Sequence, residues 1–177
     1  MPQSILRLMT ISGKGKKAEE RFCELTGAIP MPTTRKAEGD ALIDGIPVEV
    51  KGTSSNTLNQ VRAVKYITLV CFDERDDTWY VVPAHDVVRL AAKKRRGQHT
   101  ENPFESVTLS IKRLQELSLR VMSDDALVMR VRAAITAAKR FPRLQAAMRE
   151  ILAKSQRLSD ESKQEVQRVL QEYNLCD

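Results

Sequence analysis

Gly39-Asp40-Ala41-Leu42-Ile43-Asp44-Gly45-Ile46-Pro47-Val48-Glu49-Val50-Lys51 holds an acid, eight intervening residues, then an acid and a lysine two positions apart. The centre reads as a short apolar strand, an Asp-Gly turn and the start of a second strand, a strong short-range hairpin signal. Side chains two apart on a strand point to one face, so Glu49 and Lys51 project together while Val48 and Val50 face the core. The hairpin carries Asp40 alongside Glu49, and Gly39 permits the close backbone approach this needs.

Two carboxylates with nearby carbonyl oxygens form a hard, anionic site suited to magnesium or manganese and poor for zinc. A metal held there orients water, lowers its pKa and stabilises charge on a phosphate. An adjacent lysine holds that water or helps to deprotonate it. Gly52-Thr53-Ser54-Ser55 follows as a polar loop able to meet phosphate, with Ser54 and Ser55 as candidate contacts.

On these residues the chain resembles the PD-(D/E)xK nuclease superfamily, with its restriction-endonuclease-like fold. Upstream, Lys14-Gly15-Lys16-Lys17-Ala18-Glu19-Glu20-Arg21-Phe22 is similar to the first helix of archaeal Holliday-junction resolvases in that superfamily. The resemblance covers about residues 13–90, and Gly39 stands where the family's leading proline would be. It implies an α/β fold with a central mixed sheet flanked by helices, and a magnesium-dependent endonuclease. Asp40 and Glu49 are then metal ligands and Lys51 positions or activates water. Glu19 supports the metal or water from the first helix, with Glu20 one register away. Manganese is expected to substitute for magnesium.

Composition suits a folded chain: 42% hydrophobic and 29% charged residues over 177 positions, enough for one full core. We expect a nuclease core over residues 1–119 and a helical extension over 120–177. No apolar run approaches the roughly 20 residues needed to cross a bilayer. Met1 to Ile11 lacks the cleavage site of a secretory signal, so a cytoplasmic protein is expected. Cys23, Cys71 and Cys176 are odd in number and widely spaced, which suits reduced, structural thiols. Gly13-Lys14-Gly15-Lys16 lacks the full pattern of a phosphate-binding loop.

The net charge of +6 is unevenly spread. Residues 1–38 carry seven basic and four acidic groups, residues 39–88 four and eight, and residues 89–113 seven and two. Basic segments thus flank the acidic motif, as expected if lysine and arginine hold a polyanion while carboxylates hold a metal. Candidate DNA contacts are Lys14, Lys16, Lys17 and the run Lys93-Lys94-Arg95-Arg96, the latter read against a merely solvated helix end. Gln60, Arg62 and Lys65 are candidate phosphate or base contacts.

Further along, Tyr66 to Phe72 reads as a strand, Asp73 to Asp77 as a turn and Thr78 to Val82 as the partner strand, followed by a short helix over Asp86 to Ala92. The stretch 56–65 is either a crossover helix or an irregular loop, and 97–108 reads as a loop that either faces DNA or merely connects. Helices are expected from Asp124 to Phe141, from Arg143 to Leu158 and after Ser159. They pack on the core, make a dimer interface or offer a DNA-binding face. Cutting both strands of a duplex usually takes two sites, so a homodimer is expected. A restriction-type duplex cutter is favoured over a junction resolvase, with a non-cleaving DNA-binding subunit as the alternative of another class. The family reading leaves room for a methyltransferase or other subunit alongside.

Overall fold

The computed structural model describes residues 13–117, 119–154 and 158–176. Met1 to Ile11, read above for a signal, lie outside them. The motif forms the hairpin expected of it: β2 (Ala41–Ile43) and β3 (Ile46–Thr53) pair antiparallel, with Ala41 opposite Val48 and Ile43 opposite Ile46. Asp44 (φ 52°) and Gly45 (φ 76°) both take the left-handed conformation that a tight two-residue hairpin turn requires. Pro47 lies before the part of β3 that pairs with β5 (Thr68–Asp73), so its missing N–H costs no ladder bond on that side.

β3 and β5 run parallel, Glu49 beside Leu69 and Lys51 beside Cys71. β5 then pairs antiparallel with β6 (Thr78–Val82). Two-residue edge strands, β1 (Ile29–Pro30) and β8 (Arg120–Val121), complete a six-stranded mixed sheet in the order β1-β2-β3-β5-β6-β8. Such short edges offer little template for pairing with other chains.

Helices cover both faces, because every residue of β5 and β6 is buried. α1 (Gly13–Thr26) and α4 (Asp124–Ala138) pack on one face, where Phe22, Leu127 and Val131 meet Val48, Val50, Val70 and Trp79. The other face holds Leu69, Cys71, Tyr80 and Val82. It is covered by α2 (Ala84–Ala92), α5 (Pro142–Ala153), α6 (Asp160–Glu172) and a small sheet of β4 (Thr57–Val61) and β7 (Val107–Ser110). A short α3 (Ile111–Glu116) follows β7. The protein is therefore α/β, with a mixed central sheet between helices. Among the described residues no helix is long and apolar enough to cross a membrane.

Four sequence readings need correction. The stretch 56–65 is neither helix nor irregular loop but β4 and a 3-10 turn at Ala63–Lys65. Gln60 (φ 55°) marks a bulge between Leu58 and Val61, so two buried residues three apart share a face and mimic helical spacing. Residues 107 and 108 are strand, not loop, because Val107 pairs with Val61. The strand read from Tyr66 begins at Thr68, since Tyr66 (φ 50°) closes the 3-10 turn and its hydroxyl donates to the Ala138 carbonyl at 3.0 Å. α5 ends at Ala153 rather than Leu158.

The helix starts at Asp124 and after Ser159 follow expectation. Ser123 accepts the Ala126 N–H at 3.3 Å ahead of Asp124 and Asp125, and Ser159 accepts the Ser162 N–H at 3.1 Å. α4, α5 and α6 send Leu127, Leu144, Met148 and Val166 into the two cores, so all three helices pack on the core. Cys23, Cys71 and Cys176 are free thiols, and burial pushes that of Cys71 up to about 12.

Candidate active site

Asp40 sits where the chain enters β2, held at three atoms. Its N–H donates to the Val48 carbonyl, its own carbonyl accepts the Met31 N–H, and its Oδ2 accepts the Val50 N–H, each at 2.9 Å. Gly39 makes this approach feasible: a Cβ there would lie 3.0 Å from the Val48 oxygen and 3.1 Å from the Pro47 Cβ.

The alternation of β3 puts Glu49 and Lys51 on the face opposite Val48 and Val50, as the sequence predicts. Glu49 is only 5% exposed and is held from two sides. Lys51 Nζ lies 3.1 Å from Oε1, and Lys65 Nζ, arriving from the 3-10 turn, donates to Oε2 at 3.1 Å.

The first helix supplies Glu19. Ala18 and Phe22 anchor α1 in the core, which leaves Glu19 half-buried at its edge. Lys36 Nζ donates to Glu19 Oε2 at 2.7 Å and stands 3.9 Å from Asp40 Oδ1. Glu20 turns to solvent and pairs with Lys16 at 3.7 Å. Of the two adjacent acids, Glu19 is thus the one at the site.

Glu19, Asp40 and Lys51 line one open cleft of about 300 Å³ with Gly52, Thr53, Ser55 and Asn59. Burial raises the Asp40 carboxyl above its ordinary range. The Val50 N–H opposes that rise, the charges of Glu19 and Glu49 add to it, and Lys36 opposes it. Asp40 therefore senses both neighbouring carboxylates, and positive charge beside it is favourable. Lys36 already occupies such a place.

Hard oxygen donors facing an open polar cleft, with mutual repulsion that a cation relieves, fit a small divalent ion such as magnesium. Glu19 and Asp40 offer oxygens directly, whereas Glu49 has a lysine on each oxygen. Among the described residues, no three His, Cys, Asp or Glu side chains are assembled as a metal-holding group.

Ser55 lines the cleft and its Oγ donates to the Thr57 carbonyl at 3.0 Å, while Ser54 is exposed in the same turn. Lys16 and Lys17 are exposed on α1, and Gly13 to Lys17 belong to that helix rather than to a phosphate loop. The side chain of Lys14 lies outside the description. Gln60 gives its N–H to Gln98 Oε1 at 2.8 Å, and Arg62 Nε donates to the Glu105 carbonyl at 3.4 Å. Lys93, Lys94, Arg95 and Arg96 are exposed beyond α2, and none of them lines the cleft. His85 stacks against Phe141 with centroids 4.4 Å apart, and burial lowers its pKa.

Sequence reasoning missed the role of Lys36, and it read Lys65 as a phosphate or base contact rather than as the partner of Glu49. Their partners lie 17 and 16 residues away, so no local spacing marks them.

The fold and site together define an α/β protein with a cleft of paired acids and lysines beside its central parallel strand pair. No protein-family model matches the chain, and comparison with curated proteins and with solved structures gives no match.

Proposed function

We propose that the protein is a magnesium-dependent DNA endonuclease with a restriction-endonuclease-like fold. The observation that carries this reading is the gathering of Asp40 from a hairpin start, Lys51 from the partner strand and Glu19 from the first helix around one cleft, with Glu49 directly behind Lys51. Glu19 and Asp40 would hold the ion, joined by Glu49 once a lysine moves aside. Bound there, magnesium supplies Lewis acidity that polarises a phosphate and acidifies water.

The chain's own groups do the rest. Lys51 offers an ammonium beside the carboxylates, suited to orienting water or neutralising charge on the phosphate. The backbone of Gly52 and Thr53 and the hydroxyl of Ser55 can steady a phosphodiester in the cleft, and the basic segments that bracket the motif in sequence would meet the polyanion outside it. A cytoplasmic homodimer cutting both strands at a specific sequence is the form we favour over a junction resolvase.

One observation favours a second reading, a non-cleaving DNA-binding protein of the same shape. Each acid already has a lysine neighbour: Lys36 for Glu19 and Asp40, Lys51 and Lys65 for Glu49. Supercoiled plasmid, linear duplex and a four-way junction, each incubated with protein in magnesium or chelator, separate these readings. Discrete plasmid fragments that need magnesium and vanish with Asp40→Ala support the restriction-type enzyme. Symmetric cuts confined to the junction support a resolvase. Retarded but uncut DNA throughout supports the binding protein.

A further inference from the structure

A second cavity, of about 290 Å³, opens at the start of β3, whereas the cleft lies towards its end. Pro47 and Lys51 mark the two sites along the strand, separated by about 13 Å at the usual rise per residue. The cavity's floor is apolar, made by Ile46, Pro47, Ile67, Ala84, Ile135 and Ala138. Its charged groups are of one sign: Lys65, Lys139 and Arg149 line it with Tyr66, Thr68 and Gln145, and no carboxylate does.

Helical spacing builds this arrangement. Ile135, Ala138 and Lys139 share one face of α4 and its C-terminal cap, and Gln145 and Arg149 lie four apart on α5. Lys139 and Arg149 are exposed and have no acidic partner among the described residues. Lys65 is shared with Glu49. An apolar floor beneath three cations, one a guanidinium able to bind two phosphate oxygens at once, matches a ligand with a flat apolar body and a doubly charged head.

We propose that this cavity binds a nucleotide, its phosphate held by Lys65, Lys139 and Arg149 and its base on the apolar floor beside the Gln145 amide. The same chemistry arises in a free mononucleotide and at the phosphorylated end of a nucleic-acid strand. The site touches the acid set only through Lys65, the partner of Glu49, while Lys139 and Arg149 stand apart from it.

Titration calorimetry on the full chain tests it with adenosine 5′-monophosphate, adenosine, and a short single strand with or without a 5′-phosphate. Binding of a phosphate-bearing probe at least 10-fold tighter than its phosphate-free counterpart is expected. It should fall at least 10-fold in Lys139→Ala/Arg149→Ala and persist in Asp40→Asn. Both replaced side chains are exposed, and a circular-dichroism melt verifies that the double variant is folded. Preference for the mononucleotide assigns a free nucleotide, and preference for the phosphorylated strand assigns a strand end. Equal binding of adenosine and its monophosphate, undiminished binding by the double variant, or no phosphate-bearing probe bound at millimolar concentration overturns the proposal.

Discussion

Asp40 Oδ2 accepts the backbone N–H of Val50 at 2.9 Å, so the first acid of the motif is fastened to the residue between the second acid and the lysine. This bond makes Asp40 both a structural tie and a candidate ligand, and the two roles separate by substitution. Asp40→Asn keeps an acceptor for Val50 and removes the charge, so the fold should survive while magnesium-dependent cleavage falls at least 100-fold. Asp40→Ala also strands the Val50 N–H, at a cost of about 1–3 kcal/mol. Its thermal midpoint should drop by about 2–10 °C, read from a calorimetric melt of each variant.

The pH dependence of stability should differ in sign at two aspartates. Asp40 has its folded pKa raised above the ordinary value of 3.8, chiefly by burial. The native state then binds the proton more tightly than the unfolded chain, so the Asp40 contribution weakens as pH rises through that raised window. Asp73 is held below its ordinary value by the Arg75 guanidinium, so its contribution is present above that value and lost as pH falls. Urea unfolding between pH 3 and 7 should show Asp40→Asn gaining on the parent as pH rises and Asp73→Asn losing.

Glu49 should matter to stability before any metal is considered. Its buried carboxylate joins Lys51 to Lys65, and removing one member of a buried ion pair leaves charge uncompensated, at about 3–5 kcal/mol. Glu49→Ala should therefore lower the urea midpoint strongly. Glu49→Gln, which keeps the shape and hydrogen-bonding capacity, should lower it less.

The neighbouring acids of α1 form an internal control. Glu19 lines the cleft against Lys36, whereas Glu20 pairs with Lys16 in solvent. Glu19→Gln should weaken manganese binding at least 5-fold, measured by paramagnetic resonance, and slow cleavage. Glu20→Gln should leave both within 2-fold of the parent.

Gly97 is demanded by space. A Cβ there would clash with the backbone carbonyl oxygens of Ser106 and Asn102. Gly97→Ala should cost about 1–3 kcal/mol by overpacking, read as a fall in urea midpoint.

The hairpin around Asp44-Gly45 was legible because turn chemistry and period-two alternation are local signals, and both point one way. The start of α4 at Asp124 and the cap at Ser159 were legible for the same reason. β4 was not, because the bulge at Gln60 breaks the alternation that marks a strand, and its partner β7 lies 46 residues beyond Val61 at Val107. The acids of the site could be read from their spacing along one hairpin. Their lysine partners, Lys36 and Lys65, could not, since only the fold brings them to Glu19 and Glu49.

The most direct test of the central claim follows the nicking of supercoiled plasmid by the full chain as magnesium is raised from zero, beside Asp40→Asn at equal concentration. The account predicts nicking that rises with magnesium to saturation, is abolished by chelator and is at least 100-fold slower in the variant. Nicking that is independent of magnesium or equal in the two proteins, or none by the parent chain, would contradict it.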